Sequence, residues 1–142
     1  MSEPSSYLTV IVPALNEAAS IGAVLDRIPR DIEGVGRVEL LVIDDGSTDE
    51  TAAISRARGA SVISHGRNLG VGAALQSGLQ EAIQRRAGIF VNIDSDGQFA
   101  PEDIPRLVAP ILRDEADFVS ASRFKDPALV PVMPGVKRLG NW

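Results

Sequence analysis

The sequence predicts an α/β domain, a mostly parallel sheet flanked by helices. Three observations carry that prediction. Apolar, β-branched runs alternate along the chain with segments of helical period. Those runs are almost continuously apolar, as strands are when both faces of a sheet are covered. The chain has 142 residues, of which 44% are hydrophobic and 23% charged, enough to fill one core.

The elements follow in order. Tyr7-Leu-Thr-Val-Ile-Val12 reads as a buried strand. Ile21, Val24, Leu25 and Ile28 fall at i, i+3, i+4 and i+7, one face of a helix that Pro29 ends. Val38-Glu-Leu-Leu-Val-Ile43 is a second strand. Ser47-Thr-Asp-Glu50 has the spacing of a capping box, so a helix is expected to start there, with Ile54 and Ala57 facing inward. Ala60–Ser64 is a weaker third strand. Val71, Ala74, Leu75, Gly78, Leu79, Ala82 and Ile83 form the clearest helical stripe in the chain. Gly88–Ile93 is a fourth strand. Pro101 suits a first helical turn, followed by Ile104, Leu107, Val108, Ile111 and Leu112 on one face. Phe118–Ser122 reads as a fifth strand, and the prolines at 127, 131 and 134 mark a loop beyond it.

Composition removes several function classes. There is no cysteine, hence no disulfide framework, thiolate zinc site or cysteine nucleophile. A net charge of −5 argues against nucleic acid, which needs many cations to neutralise phosphates. Aromatic residues are 4% of the chain, too few for a base-stacking platform. No apolar run reaches the roughly 20 residues that span a bilayer. Met1–Ser6 is polar and lacks a signal-peptide core, so a cytoplasmic location is expected.

Ligands of an open parallel sheet bind beyond the carboxyl ends of its strands. The segments found there are Pro13–Glu17, Asp44–Asp49, His65–Gly70 and Asp94–Gln98, and three of the four carry carboxylates. The P-loop pattern is absent, and Gly70-Val-Gly72 fails the dinucleotide fingerprint because Leu75 occupies its third position. Asp94-Ser-Asp96 is the sharpest feature. Two carboxylates at i and i+2 repel each other when bare, and a hard divalent cation resolves the conflict, with Gln98 as a further oxygen donor. A solvated turn capping the next helix is the plainer reading, and position at a strand end among acidic loops weighs against it.

In Asp44-Asp45-Gly46-Ser47, a turn explains the glycine and serine but not both carboxylates. One of them accepting a hydrogen bond from a base or a ribose would explain the pair. Asn16-Glu17 reads, on its own residues, first as a helix start, where a negative side chain is favourable. Arg67–Gly72 is a glycine turn that either presents N–H groups to an anion or merely turns. His65, the only histidine, reads as a loop residue. Arg123, Lys125, Lys137 and Arg138 form a late basic cluster, either a solvated surface or a clamp on phosphate oxygens.

Val10-Ile-Val-Pro-Ala-Leu-Asn-Glu17, Leu41-Val-Ile-Asp-Asp-Gly-Ser-Thr-Asp49, Arg67-Asn-Leu-Gly-Val-Gly-Ala-Ala-Leu75 and Asp94-Ser-Asp96 together resemble family 2 glycosyltransferases. The subgroup they are most similar to is the dolichol-phosphate mannosyltransferase-like enzymes. The resemblance implies a GT-A fold over residues 1–125, with 126–142 opening an acceptor or membrane-proximal region. It implies a GDP- or UDP-sugar donor, Mg²⁺ or Mn²⁺, and transfer with inversion to a polyprenyl phosphate or a saccharide. By the same resemblance Pro13, Ala14, Leu15, Glu17, Asp44, Asp45, Arg67, Gly72, Asp94 and Ser95 bind the nucleotide sugar. Leu15 stands where many members carry an aromatic residue. Asp94, Asp96 and Gln98 match the metal motif, Asp94 and Asp96 acting in catalysis together with Arg123. Lys137 and Arg138 are expected as phosphate-binding cations.

Members of the family continue well past the length of this chain. The expectation is therefore a donor-binding part of a larger transferase, peripheral on the inner face of a membrane in its full form and open to self-association. The alternative is a non-catalytic nucleotide-sugar-binding module. A nucleotidyltransferase would need a basic, glycine-rich loop in place of Pro13–Glu17.

Overall fold

The computed structural model describes residues 6–121. Four strands, β1 (Ser6–Ala14), β2 (Val35–Asp44), β3 (Ser61–Ser64) and β4 (Ile89–Asn92), form one sheet in the order β3-β2-β1-β4. Every pairing is parallel. The helices are α1 (Ile21–Arg27), α2 (Thr51–Ala57), α3 (Val71–Gln84) and α4 (Ile104–Leu112), the last entered through a 3-10 turn at Pro101–Asp103. The α/β architecture is the expected one.

Strand alternation divides the core. Leu8, Val10, Val12, Leu40 and Val42 face one side, where Ile21, Val24 and Leu25 of α1 and Ile104 and Val108 of α4 cover them. Ile11, Leu41 and Ile43 face the other, beneath Ala74 and Ala82 of α3. All of these are buried, which is why β1 and β2 read as unbroken apolar runs. α1 stops where Ile28 turns extended (φ −71°, ψ 120°) ahead of Pro29, since a residue before proline is driven out of the helical region.

The inward face of α3 is narrower than the periodicity suggests. Its buried residues are Ala74, Gly78 and Ala82, a strip of small side chains. Val71 and Ile83 are 78% and 65% exposed. A Cβ at Gly78 would collide with Ile11 Cγ2, so the glycine lets α3 lie directly on the sheet.

Three other expectations change. α2 begins at Thr51 instead of following Ser47, because the Ser47 hydroxyl accepts the Asn16 N–H (2.9 Å) and is not used as a cap. Just ahead of α2 the Asp49 carboxylate accepts the Thr51 N–H at 3.0 Å, and the N-cap residue Glu50 makes no side-chain capping bond. Ser55 is buried in α2 while Ala57 is exposed; the Ser55 hydroxyl is satisfied by the Thr51 carbonyl at 2.7 Å. Residues 118–121 form no strand, since none of them pairs with the sheet, and Phe118 is 83% exposed. Ser122, Arg123, Lys125, Lys137, Arg138 and the 126–142 region lie outside the described residues. No described helix is long and apolar enough to cross a membrane.

Candidate functional site

The strand order reverses between β1 and β4, so the loops leaving their carboxyl ends diverge and open a crevice. A cleft of about 500 Å³ occupies that position. Pro13, Ala14, Leu15 and Glu17 from the end of β1 form one wall. Asn92, Asp94, Ser95 and Asp96 from the end of β4 form another. Asp45, at the end of β2, and Asn68, Gly70, Val71, Ala74 and Leu75, leading into α3, complete it.

The β1 wall is held by the segment after β2. Asn16 has φ +52°, a conformation few non-glycine residues adopt. Its N–H donates to Ser47 Oγ (2.9 Å), and its Oδ1 accepts the Thr48 N–H (2.8 Å). The Glu17 N–H donates to the buried Thr51 Oγ1 (2.9 Å), and the Ala18 N–H to Asp49 Oδ2 (3.2 Å). Three successive backbone donors of one motif thus end on side chains of another. The Ser47–Thr51 side chains serve as a latch for the Pro13–Glu17 loop.

The β4 wall is fixed from two sides. The Ser95 carbonyl accepts the Ser20 hydroxyl at 2.7 Å. Farther along, Arg27 of α1 makes a two-point bond to Glu102, at 2.6 and 2.8 Å. The Asp96 carboxylate accepts the Gln98 N–H at 2.9 Å, closing the turn. Asp94 and Asp96 are exposed on the cleft, and neither pairs with a basic side chain among the described residues.

Asp45 is the most tightly bound carboxylate. It is 5% exposed, and it accepts N–H bonds from Leu69 (2.9 Å to Oδ1), Gly70 (2.9 Å to Oδ2) and the His65 ring (2.8 Å to Oδ1). Burial pushes its carboxyl up, but the bonds from His65, Leu69 and Gly70 outweigh that and hold it below the usual carboxylate range. The turn bearing these donors rests on Gly46, whose φ of +90° suits glycine. A Cβ there would collide with the backbone of Arg67.

The cleft therefore gathers eight residues predicted from sequence: Pro13, Ala14, Leu15, Glu17, Asp45, Asp94, Ser95 and Asp96. Four others do not line it. Asp44 is buried behind it, its carboxylate accepting the Ser47 N–H (2.9 Å) and the Ser64 hydroxyl (3.3 Å). Arg67 and Gly72 are exposed, and Gln98 contributes its backbone to Asp96. Sequence reading missed Asn68 and Asn92 as wall residues. It read Val71, Ala74 and Leu75 only as part of the helical stripe, whereas the structure also sets these first turns of α3 against the cleft, with Ala74 buried in the core as well.

Chemically, the described lining holds four carboxylates and no cationic side chain. A nucleoside diphosphate would be repelled from it unless a divalent cation accompanied it. No group of three or more His, Asp or Glu side chains converges among the described residues. Two exposed carboxylates still fit Mg²⁺ or Mn²⁺, because such ions are held by one or two carboxylates and complete their shells with phosphates and water.

Comparison with known proteins bears on the family and the fold. The model of glycosyl transferase family 2 matches residues 9–138. A UDP-N-acetylglucosamine–dolichyl-phosphate N-acetylglucosaminyltransferase of Methanococcus voltae is 32% identical over 158 residues, covering 99% of this chain and 61% of that protein. A dodecaprenyl-phosphate galacturonate synthase of Rhizobium johnstonii is 33% identical over 122 residues, covering 81% of this chain and 35% of that one. Glucosyl-3-phosphoglycerate synthase of Mycobacterium tuberculosis, crystallised with Mn²⁺, UDP-glucose and phosphoglyceric acid, superposes with a TM-score of 0.61. It is 35% identical, and the match covers 78% of this chain and 41% of that one. The chain spans about half the length of the curated relatives it matches. The fold is GT-A, as the sequence resemblance implies. With its family model matched across nearly every residue, the chain belongs to glycosyl transferase family 2.

Proposed function

We propose that this chain is the donor-binding part of a metal-dependent, inverting glycosyltransferase that moves a sugar from a nucleoside diphosphate to a lipid phosphate or a saccharide. The observation that carries the reading is the cleft at the β1–β4 reversal, whose described lining is acidic and has no cation of its own. Support also comes from the structural relative crystallised with Mn²⁺ and UDP-glucose, and from the two relatives named for dolichyl and dodecaprenyl phosphates.

In this reading Asp94 and Asp96 hold the cation, with the Gln98 side chain near enough in sequence to add an oxygen. When bound, the metal stabilises the charge that develops on the departing diphosphate. The chain's own part is to bind and orient. Pro13, Ala14 and Leu15 offer the nucleoside an apolar wall, Leu15 being 38% exposed on it. A phosphate acceptor arrives ionised, so attack on the anomeric carbon needs no strong general base. A hydroxyl acceptor would need one.

Asp45 bears on the choice of base. A carboxylate has about four acceptor positions, two per oxygen. Oδ1 already takes the His65 and Leu69 donors and Oδ2 takes Gly70, which leaves one position on Oδ2. Uracil offers a single imide N–H between two carbonyls. Guanine offers adjacent N1–H and N2–H donors that match both oxygens of a carboxylate. The occupancy of Oδ1 therefore favours a uridine donor over a guanosine one.

The test is calorimetric titration of the folded chain with UDP, GDP and their glucose, mannose and N-acetylglucosamine conjugates in Mn²⁺. Tighter binding of the uridine series is expected. Binding of none of them would refute the donor site, and tighter binding of GDP would refute the reading of Asp45. The alternative is a non-catalytic nucleotide-sugar-binding module. It is separated by assaying release of UDP with polyprenyl phosphate in detergent.

A further inference from the structure

We propose that His65 is a positioning residue of this cleft: it holds the Asp45 carboxylate, and through it the Leu69–Gly70 turn, in the shape that receives the nucleoside. Its ligand rests on the donor-site reading above, and its mechanics rest on hydrogen bonds alone.

His65 follows β3 and is tied at three points. Its backbone N–H donates to the Asp44 carbonyl at 3.0 Å. Its Nδ1 lies 2.8 Å from Asp45 Oδ1, and its Nε2 lies 2.8 Å from Ser77 Oγ on α3. A carboxylate has no hydrogen to give, so Nδ1 carries it. In the neutral ring Nε2 then accepts the Ser77 hydroxyl. The side chain is only 8% exposed, and with both nitrogens engaged the ring is locked.

The order Ser77, His65, Asp45 has the connectivity of a nucleophilic triad. The position of its ends gives it another use. Ser77 is not among the residues lining the cleft, whereas Asp45 is. The chain runs from the flank of α3 to the cleft and ends on a carboxylate, with no nucleophile presented there. That carboxylate also takes the Leu69 and Gly70 N–H groups, and Gly70 and its neighbour Asn68 line the cleft. Removing the ring takes away one of three donors and leaves the carboxylate held by the two turn amides alone.

The two ring nitrogens can be tested separately. An asparagine at 65 carries an N–H close to the place of Nδ1, so it keeps the bond to Asp45 and loses Ser77. A glutamine reaches the place of Nε2, keeping Ser77 and losing Asp45. Alanine loses both. The experiment compares wild type with His65→Ala, His65→Asn and His65→Gln in two readouts: calorimetric titration with UDP in Mn²⁺, and amide hydrogen exchange of Leu69 and Gly70 by NMR.

We expect His65→Ala and His65→Gln to weaken UDP binding about tenfold and to speed Leu69 and Gly70 exchange by at least as much, while His65→Asn stays within about threefold of wild type. Exchange of core β1 amides should not change. Equal behaviour of the Asn and Gln variants would overturn the inference, as would wild-type affinity and exchange in His65→Ala. If alanine fails to fold, the Asn and Gln pair still decides. If wild type itself binds no nucleotide, the donor reading falls, and the exchange pattern alone supports or overturns the hold of His65 on the turn.

Discussion

Replacing Gly78 with alanine sets two opposing effects against each other. In an exposed helix interior the change stabilises by about 1 kcal/mol, because glycine is the more costly residue to order. Gly78 is buried against β1 instead. A Cβ there would collide with Ile11 Cγ2 and lie 3.4 Å from Cδ1 and Cγ1 of the same side chain. Ile11 is fully buried on a strand paired on both edges, opposite Leu41 and Asn92, so it has nowhere to swing. α3 must lift, and overpacking of this kind costs about 1–3 kcal/mol. The balance is a net loss of up to about 2 kcal/mol. Gly72 on the same helix supplies the control: nothing lies within 4 Å of its Cβ position, so Gly72→Ala should be neutral or stabilising. Urea denaturation at constant m-value measures both. Gly78→Ala matching Gly72→Ala in midpoint would refute the close packing of α3 on β1.

Two further substitutions test the cleft's frame. Gly46→Ala combines a φ of +90° with a Cβ 2.6 Å from the Asn68 nitrogen, backbone that cannot move aside cheaply. A loss of about 2–5 kcal/mol in denaturant stability is expected, the sum of left-handed strain and overpacking. Asp45→Asn turns an acceptor toward donors into a mixed group and should cost about 1–3 kcal/mol at neutral pH. Because the folded-state pKa of Asp45 is depressed, its stabilisation is present above the unfolded carboxylate value and lost as pH falls through the folded one. The gap in thermal midpoint between wild type and Asp45→Asn should therefore narrow below about pH 4, and a gap unchanged from pH 7 to pH 3 would count against the hydrogen-bond account.

The features legible in the sequence were those that repeat locally. β1 and β2 announce themselves because both faces are covered, and the carboxylates at strand ends follow from parallel topology. What escaped was long-range. Ser47 looks like a helix cap, but a backbone N–H 31 residues away claims its hydroxyl. β2 starts at Val35, earlier than its apolar run, because the ladder with β1 carries it there. The stripe on α3 is read too wide, because one glycine brings the helix so close that Val71 and Ile83 flank the contact. Asn68 and Asn92 carry no periodic signal. His65 reads as an ordinary loop residue until β2 and α3 bring Asp45 and Ser77 to its two nitrogens.

The central claim is that Asp94 and Asp96 bring a divalent cation to a nucleoside diphosphate in this cleft. Calorimetric titration of UDP with and without Mn²⁺, on wild type and on the Asp94→Ala, Asp96→Ala double variant, tests it most directly. Wild type should bind UDP in a Mn²⁺-dependent manner, and the folded double variant should lose that dependence together with most of the affinity. UDP binding by the double variant with unchanged affinity and unchanged Mn²⁺ dependence would contradict the account.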